Sequence, residues 1–443
     1  MVSPVPVYIE SQVTRRDLHA RLLLGARLAA HGHPVLLGRD HAILAAAAVN
    51  APGIYISDWG FTHSAARRLA AMRAHGHQPY GQCEESTAYV APDLYRRIRL
   101  VPAALAETTA VFCTNGQQQA LVEAQRPEIP VDRMPAMTNP GNIRFELLGP
   151  RWRGAYQPEI TQIKDRFGDF VLITTNGKLR NVRDVEHNVE HLQKNIGLSR
   201  PDAERFGQLI EQRAEAQRRF IQDVLALAES RPRRRFVLRA KYNEIRPIEE
   251  LFGDRLPANV TLENGGGIQA WVLAADGVLM NNCTTGMDAH VAGTPAIFYR
   301  PTGDTVENLE GPAALSTLID GPEALAAALD RGLPDNPALD AAAVERFMPS
   351  LVRSSHQAMA DAITAAAPAS DTRAFPGFHV PLRQRLPLWR KSVVHRLSPS
   401  RSLGGRIQAG EVKRFMAGLR DADDTLRPVQ LRQLDFELYR LSP

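Results

Sequence analysis

The chain has 443 residues, 44% of them hydrophobic and 23% charged, with a net charge of +5. This excludes a disordered or low-complexity protein and leaves room for two or three domains of ordinary size. No apolar run is long enough to span a bilayer and no signal-peptide pattern opens the chain, so a cytoplasmic location is expected.

The three cysteines, Cys83, Cys113 and Cys283, stand at no metal-ligand spacing, and so sparse and odd a set argues against a disulfide framework. The positive charge is unevenly placed. Residues 373–443 carry 14 Lys/Arg against 6 Asp/Glu, and the remainder carries 39 against 42. A core built to bind nucleic acid would be basic itself, so no nucleic-acid partner is expected.

In chain order, Val5–Glu10 reads as a short apolar strand, and Asp17–Ala30 as a helix with Leu and Ala at helical spacing, closed by Gly32. Strands at Val35–Gly38, Gly53–Ser57, Pro79–Gln82 and Thr109–Cys113 follow, with helices at Ser64–Ala74 and Gln117–Ala124. His31/His33 and His75/His77 fall at helix ends and read as C-terminal capping rather than metal sites. Asn139–Pro150, rich in Pro, Gly and Asn, reads as the exit from a first domain.

The second series has a helix at Glu159–Phe167 and a strand at Phe170–Thr174, then helical stretches at Asp184–Gln193 and Pro201–Glu229. Strands at Arg235–Arg239, Val260–Glu263, Gly277–Asn281 and Ala296–Tyr299 come next, and an Ala-rich helical stretch, Ala338–Ala366, closes the domain. Alternating strands and helices predict parallel sheets covered on both faces. The expected division is therefore 1–150, 151–367 and a basic tail at 368–443, the first two being Rossmann-like domains facing a cleft. Ligands then belong after the carboxyl ends of strands.

The segment Gly265–Pro301 says most about chemistry. The strand Gly277–Asn281 empties into Asn282, Cys283, Thr284, Thr285 and Gly286, where a helix begins. Small hydroxyl residues at a helix N-terminus suit a phosphate, because free N–H groups and the positive dipole end point there. The same residues also fit a Thr-capped helix that binds nothing. Asp288, one turn in, is placed to hold a ribose hydroxyl, and the Gly265–Gly267 run allows close backbone approach, with Gly266 on the donor side. Trp271 reads as core.

Several pieces in shared order resemble the bacterial surface-carbohydrate biosynthesis proteins, a GT-B-type, glycosyltransferase-like family. They are Gly265–Pro301 itself, GHQPYGQCEES at 76–86, VFCTNGQQQ at 111–119, GNIRFELL at 141–148 and FGDFVLITTN at 167–176. The resemblance runs from Val5 to Phe378. That family is in turn similar to transferases of CMP-activated sialic acid and Kdo, which carry an acidic pair, a His-Pro motif and a Ser/Thr pair near the donor phosphate. Glu84-Glu85-Ser86 matches the acidic motif with Cys83 and Ser86 departing at its edges, and Thr284-Thr285 matches the hydroxyl motif. At the Arg-Pro-His-Pro position stands Arg239-Ala240-Lys241-Tyr242, without the His-Pro.

The resemblance implies an α/β GT-B-like fold and a metal-independent glycosyltransferase of surface polysaccharide or glycolipid assembly. Glu85 would be the base, and Glu84 its neighbour would raise its pKa by like-charge repulsion. Arg239 and Lys241, alternating at a strand end, would stabilise the leaving phosphate. Thr284, Thr285 and Gly286 would hold that phosphate and Asp288 the ribose; Asn176 would line the donor side, with Gln12 and Arg15 touching acceptor. No cofactor or metal is expected, since no carboxylate cluster in the chain is read as requiring a divalent metal.

The expected partners are a nucleotide sugar and a glycan or lipid-linked acceptor. Residues 373–414, with 10 Lys/Arg, one Glu and interleaved leucines, would contact the anionic inner face of the plasma membrane, or else pack as a docked segment. Two other readings stay open: a UDP-sugar epimerase-like enzyme, and a non-catalytic nucleotide- or glycan-binding component of an assembly complex.

Overall fold

The computed structural model describes residues 4–11, 13–57, 61–82, 92–177, 185–241, 244–303, 308–367, 377–378, 407–435 and 437–443. Two compact units divide the chain: Gln157–Leu339 forms most of unit 2, and unit 1 takes the chain up to Tyr156 together with Asp340–Pro443.

Unit 1 has an eight-stranded sheet. Its strands are β1 (Val7–Glu10), β2 (Val35–Gly38), β3 (Ile54–Ser57), β4 (Gln78–Gln82), β5 (Ala110–Phe112), β6 (Ala136–Thr138), β13 (Gln430–Asp435) and β14 (Leu438–Ser442), and β7 to β12 belong to unit 2. The order is β13-β14-β2-β1-β3-β4-β5-β6, with β1 to β6 parallel and the final hairpin antiparallel against β2. The central strands VYIE, VLLG and IYIS are buried along their whole length, so their apolar runs lack alternation. The helix Thr14–Ala30 between β1 and β2 buries Leu18, Leu22, Leu23, Leu24 and Leu28.

The expected division fails at the C-terminal side. The stretch 338–366 is two helices, Ala341–Phe347 and Ser355–Ala366, and they close unit 1 rather than the second domain. Asn115 Nδ2 donates to the Phe347 carbonyl, the Asn142 N–H donates to Ser350 Oγ at 2.6 Å, and His356 Nδ1 lies 2.7 Å from the Glu146 carboxylate. Nor are residues 407–443 a free basic tail. The helix Ala409–Ala422 buries Val412, Phe415, Met416 and Leu419, and His19 stacks on Phe415 at 3.8 Å between ring centres. The hairpin β13–β14 then covers the exposed edge of β2. Gly38 permits this approach, since a Cβ there would stand 2.5 Å from the Glu437 carbonyl oxygen. Most of the segment read as a membrane contact lies outside the described residues.

Unit 2 has β7 (Val171–Thr174), β8 (Phe236–Arg239), β9 (Val260–Glu263), β10 (Gly277–Met280), β11 (Ala296–Arg300) and β12 (Thr317–Asp320), in the order β12-β11-β10-β7-β8-β9 and all parallel. Counted from β7 as first, this is the 3-2-1-4-5-6 order of a Rossmann sheet. Val171, Ile173, Phe236, Leu238, Leu279 and Ile297 pack with Phe220, Ile221 and Val224 of the long helix Arg200–Glu229. The helix Thr285–Ala292 lies on the opposite face, where Gly286 meets Met280. Both units are therefore α/β Rossmann-like parallel sheets. No helix among the described residues is long and apolar enough to cross a membrane.

Candidate functional site

In an open parallel sheet, ligands bind beyond the carboxyl ends of the strands where the strand order reverses. In unit 2 that point lies between β7 and β10, neighbours about 4.8 Å apart. Thr175, Asn176 and Gly177 follow β7; Asn281, Asn282, Cys283 and Thr284 follow β10.

The β10 loop turns sharply. Asn282 has φ +46°, a left-handed conformation that Asn tolerates better than most residues, and its Oδ1 accepts from the Leu309 N–H at 2.9 Å. Thr284 is the N-cap of the helix Thr285–Ala292, yet its side chain makes no capping hydrogen bond. That removes the reading of Thr284 as a capping residue. The N–H groups of Cys283, Thr284 and Thr285 take no hydrogen-bond acceptor among the described residues. Cys283 Sγ lies 3.2 Å from Thr285 Oγ1 and 3.6 Å from the Thr175 carbonyl. Two half-buried residues, Cys283 and Thr284, thus present free N–H groups and a hydroxyl at a positive helix end.

Other expected residues are placed differently. Gly286 is buried, and a Cβ there would stand 2.3 Å from Met280 Cε and 2.6 Å from Ser316 Oγ. Its glycine serves packing of the helix on the sheet, not approach to a phosphate. Asp288 is completely buried, so its carboxylate is not displayed on the surface of this loop.

Arg239 does not aim at a phosphate. Its Nη2 donates to the carbonyls of Gly265 (3.3 Å) and Gly266 (2.6 Å), and its guanidinium lies 5.9 Å from the centre of the Trp271 ring. Trp271 Nε1 also donates to the Gly265 carbonyl, at 2.8 Å, and the indole packs with Phe167 and Phe170 as expected of core. Gly266 takes φ +67° within this tied loop. Glu263 accepts from the Asn264 and Gly265 N–H groups and pairs with Arg166 at 2.8 Å. Burial alone would lift the Glu263 carboxyl; those two N–H groups and Arg166 outweigh it and hold the group below the usual carboxylate range. Lys241, in contrast, is exposed and crosses Gly177, with its Cδ 2.7 Å from where a Cβ of that residue would be.

The turn after β7 is held from all sides. The Asn176 N–H donates to Gln217 Oε1 (3.2 Å), Asn176 Nδ2 to the Asn281 carbonyl (3.2 Å) and the Gly177 N–H to Glu244 Oε2 (2.9 Å). Gln217 and Glu244 are fully buried. Sequence reasoning missed both; the one signal was a Gln on the apolar face of a core helix.

In unit 1 the strand order reverses between β1 and β3. Glu10 ends β1 fully buried, accepting from the Tyr55 hydroxyl and from Ser57 Oγ at 3.3 Å, with Arg68 Nη1 at 3.9 Å. Burial, then the Glu10 carboxylate, pushes the Tyr55 hydroxyl well above the usual phenol range, so it remains a donor. The expected Glu84, Glu85 and Gln12 lie outside the described residues, as do Cys83, Ser86 and the side chain of Arg15.

A cavity of about 840 Å³ opens elsewhere in unit 2, at the amino ends of β8 and β9, lined by Arg166, Phe167, Arg233, Arg235 and Asn259 among others. Three of the polar groups there are already engaged: Arg235 Nη1 donates to the Phe167 carbonyl at a helix end, Arg166 pairs with Glu263, and Asn259 Nδ2 gathers the carbonyls of Ala228, Arg231 and Arg234. It is the wrong end of a parallel sheet for the ligand of this fold. No group of three metal-ligating side chains occurs among the described residues.

No family model matches the chain, and no curated protein matches its sequence. Among solved structures, it is similar to UDP-GlcNAc 2-epimerase from Neisseria meningitidis bound to UDP-GlcNAc, at 13% identity over 82% of this chain and 100% of that one, TM-score 0.48. It is similar to the enzyme of that name from Methanocaldococcus jannaschii at 10% identity over 82% and 99%, TM-score 0.49, and to that from Rickettsia bellii at 11% over 89% and 99%, TM-score 0.45. The expected glycosyltransferase is not what these structures are named for: they carry the name of an isomerase, and none of the three that of a CMP-sugar-acid transferase.

Proposed function

We propose that unit 2 binds the diphosphate of a nucleotide sugar, a UDP-sugar foremost, at the loop Asn281–Thr285, and that the protein is a UDP-sugar epimerase-like enzyme. One observation carries the binding reading. At the switch point of a Rossmann sheet, the helix Thr285–Ala292 starts with three N–H groups and the Thr284 hydroxyl spent on no acceptor among the described residues. Lys241, exposed beside the neighbouring turn, adds positive charge to the same strand ends.

Epimerisation needs no acceptor: a base takes the proton of the inverted carbon as the neighbouring C–O bond to the diphosphate breaks, and the nucleotide adds back as a proton is returned to the other face. Glu85, with Glu84 beside it, is the proposed base. When the C–H bond of the inverted carbon is broken and remade by an acid and a base that exchange with water, solvent deuterium enters the sugar. Incubation with UDP-GlcNAc in heavy water, followed by proton NMR, is therefore the test. Loss of the ring proton signal supports the epimerase. Glu85→Gln is expected to stop that wash-in while UDP affinity stays within about threefold, since a base acts on the carbon and not on the phosphate.

A second reading, a non-catalytic nucleotide-binding component, is favoured by the diversion of Arg239 and the missing His-Pro. UDP binding without any deuterium uptake would select it. Thr284→Val keeps side-chain shape and removes the hydroxyl. It is expected to weaken UDP binding about tenfold, the value of one hydrogen bond to a charged group. Calorimetric titration reads this directly, and equal affinities would remove Thr284 from the site.

A further inference from the structure

We propose that Gln217 is a positioning residue of the nucleotide site, acting through the Thr175–Gly177 turn and not on the ligand itself. The inference rests on the nucleotide reading of unit 2.

Gln217 sits in the middle of the helix Arg200–Glu229, on the face that buries Ala214, Ala216, Phe220, Ile221 and Val224. It has no solvent exposure. Its Oε1 accepts the N–H of Asn176, 41 residues away in the chain, while its Nε2 is buried without a hydrogen-bond partner. A buried amide with one end unpaired is destabilised relative to its hydrated state. An apolar side chain of equal length would fill this core position without that cost. A residue kept against the local energetics points to what its other end holds.

What it holds is the turn. Thr175 Oγ1 accepts the Lys241 N–H at 2.9 Å, and the Gly177 N–H runs to buried Glu244. Asn176 Nδ2 ties the turn to the Asn281 carbonyl, and Cys283 Sγ ties the following loop back to the Thr175 carbonyl. The turn is thereby linked at two points to the loop that displays the free N–H groups. Removing the Gln217 acceptor takes from the Asn176 N–H its bond to the helix Arg200–Glu229, one of the backbone bonds that anchor the turn. A binding loop 1 Å out of place loses affinity without any loss of contacts in the core.

The test separates placement from stability. Gln217→Met keeps the length and removes the unpaired Nε2; Val224→Ala, on the same helix face, only cuts a cavity. UDP titration, thermal melting and amide exchange at Asn176 and Gly177 are measured on both and on the wild type. Gln217→Met is expected to raise the Kd for UDP tenfold or more, with the melting temperature unchanged or higher and faster exchange at Asn176. Val224→Ala is expected to melt earlier with an unchanged Kd. A Kd within twofold of wild type in Gln217→Met overturns the inference, as does a Kd rise that merely follows a fall in melting temperature. A wild type that takes up no UDP fails the nucleotide reading instead. Exchange at Asn176 then judges Gln217 alone: unchanged exchange shows it does not hold the turn.

Discussion

A chain ending at Arg427 is expected to give no cooperatively folded unit 1. The truncation removes β13 and β14, and with them Leu438, Tyr439 and Leu441, all buried against the sheet. Each such side chain contributes about 1.5–3 kcal/mol on burial, so the loss is roughly 4.5–9 kcal/mol against a total stability of about 5–15 kcal/mol. It also uncovers β2, whose sequence VLLG would present an unpaired apolar edge to other chains. Soluble yield and a circular-dichroism melt check this. A truncated protein that melts like the full chain would show that the hairpin is an accessory after all.

Asp423→Ala is expected to cost about 3–5 kcal/mol, the range for leaving one partner of a buried ion pair alone. Asp423 receives Arg27, Arg151 at 2.7 Å, and both the N–H and the hydroxyl of Thr425, and only 4% of its side chain is exposed. Arg27 is itself 9% exposed and, among the described residues, would keep hydrogen-bond contacts only with Thr425 and His356. Asp423→Asn, which keeps acceptors for Thr425 but loses the charge, should fall between.

The same site sets a pH dependence. Burial alone would raise the Asp423 carboxyl, but the Thr425 bonds and the Arg27 charge outweigh it, so the folded pKa lies below the ordinary value. A depressed carboxyl stabilises above the unfolded pKa of about 3.9, and the contribution disappears as pH falls through the lower folded value. Urea midpoints for wild type and Asp423→Ala should therefore converge as the pH drops below about 4. A gap that stays constant to low pH would contradict the charge-based explanation.

The sheets were legible because parallel strands buried on both faces leave unmixed apolar runs, as in VYIE, IYIS, VLIT and GVLM. Several strands without such runs were not. β6 is AMT, and β12 is TLID with alternate residues exposed. β13, QLRQLD, reads as polar tail because its pairing depends on a partner strand nearly 400 residues earlier in the hairpin's sheet, through β14 on β2. The helices at 341–366 were given to the wrong core for a related reason. Their helical periodicity is local, while the bonds from Asn115, Asn142 and Glu146 that place them are not.

The candidate site divides along the same line. A strand running into Asn-Cys-Thr-Thr-Gly announces a helix N-terminus within one short segment, and that part is where the sequence put it. The role of Gly286 was misread, because a glycine needed for close packing on Met280 looks in sequence like one needed for a phosphate. Arg239 was misread because strand alternation gives the face of a side chain but not what it reaches, here the Gly265 and Gly266 carbonyls. Gln217 and Glu244 approach the Asn176–Gly177 turn from 41 and 67 residues away, so no spacing could reveal them.

The central claim is that a nucleoside diphosphate binds at the β7/β10 switch point of unit 2. Hydrogen–deuterium exchange of the wild type, with and without saturating UDP, locates the ligand most directly. Protection is expected in peptides covering Thr175–Gly177 and Cys283–Asp288, because the N–H groups of Cys283, Thr284 and Thr285 would gain acceptors. Unchanged exchange in both segments, or protection confined to unit 1 or to the arginine-lined cavity around Arg233, would contradict it.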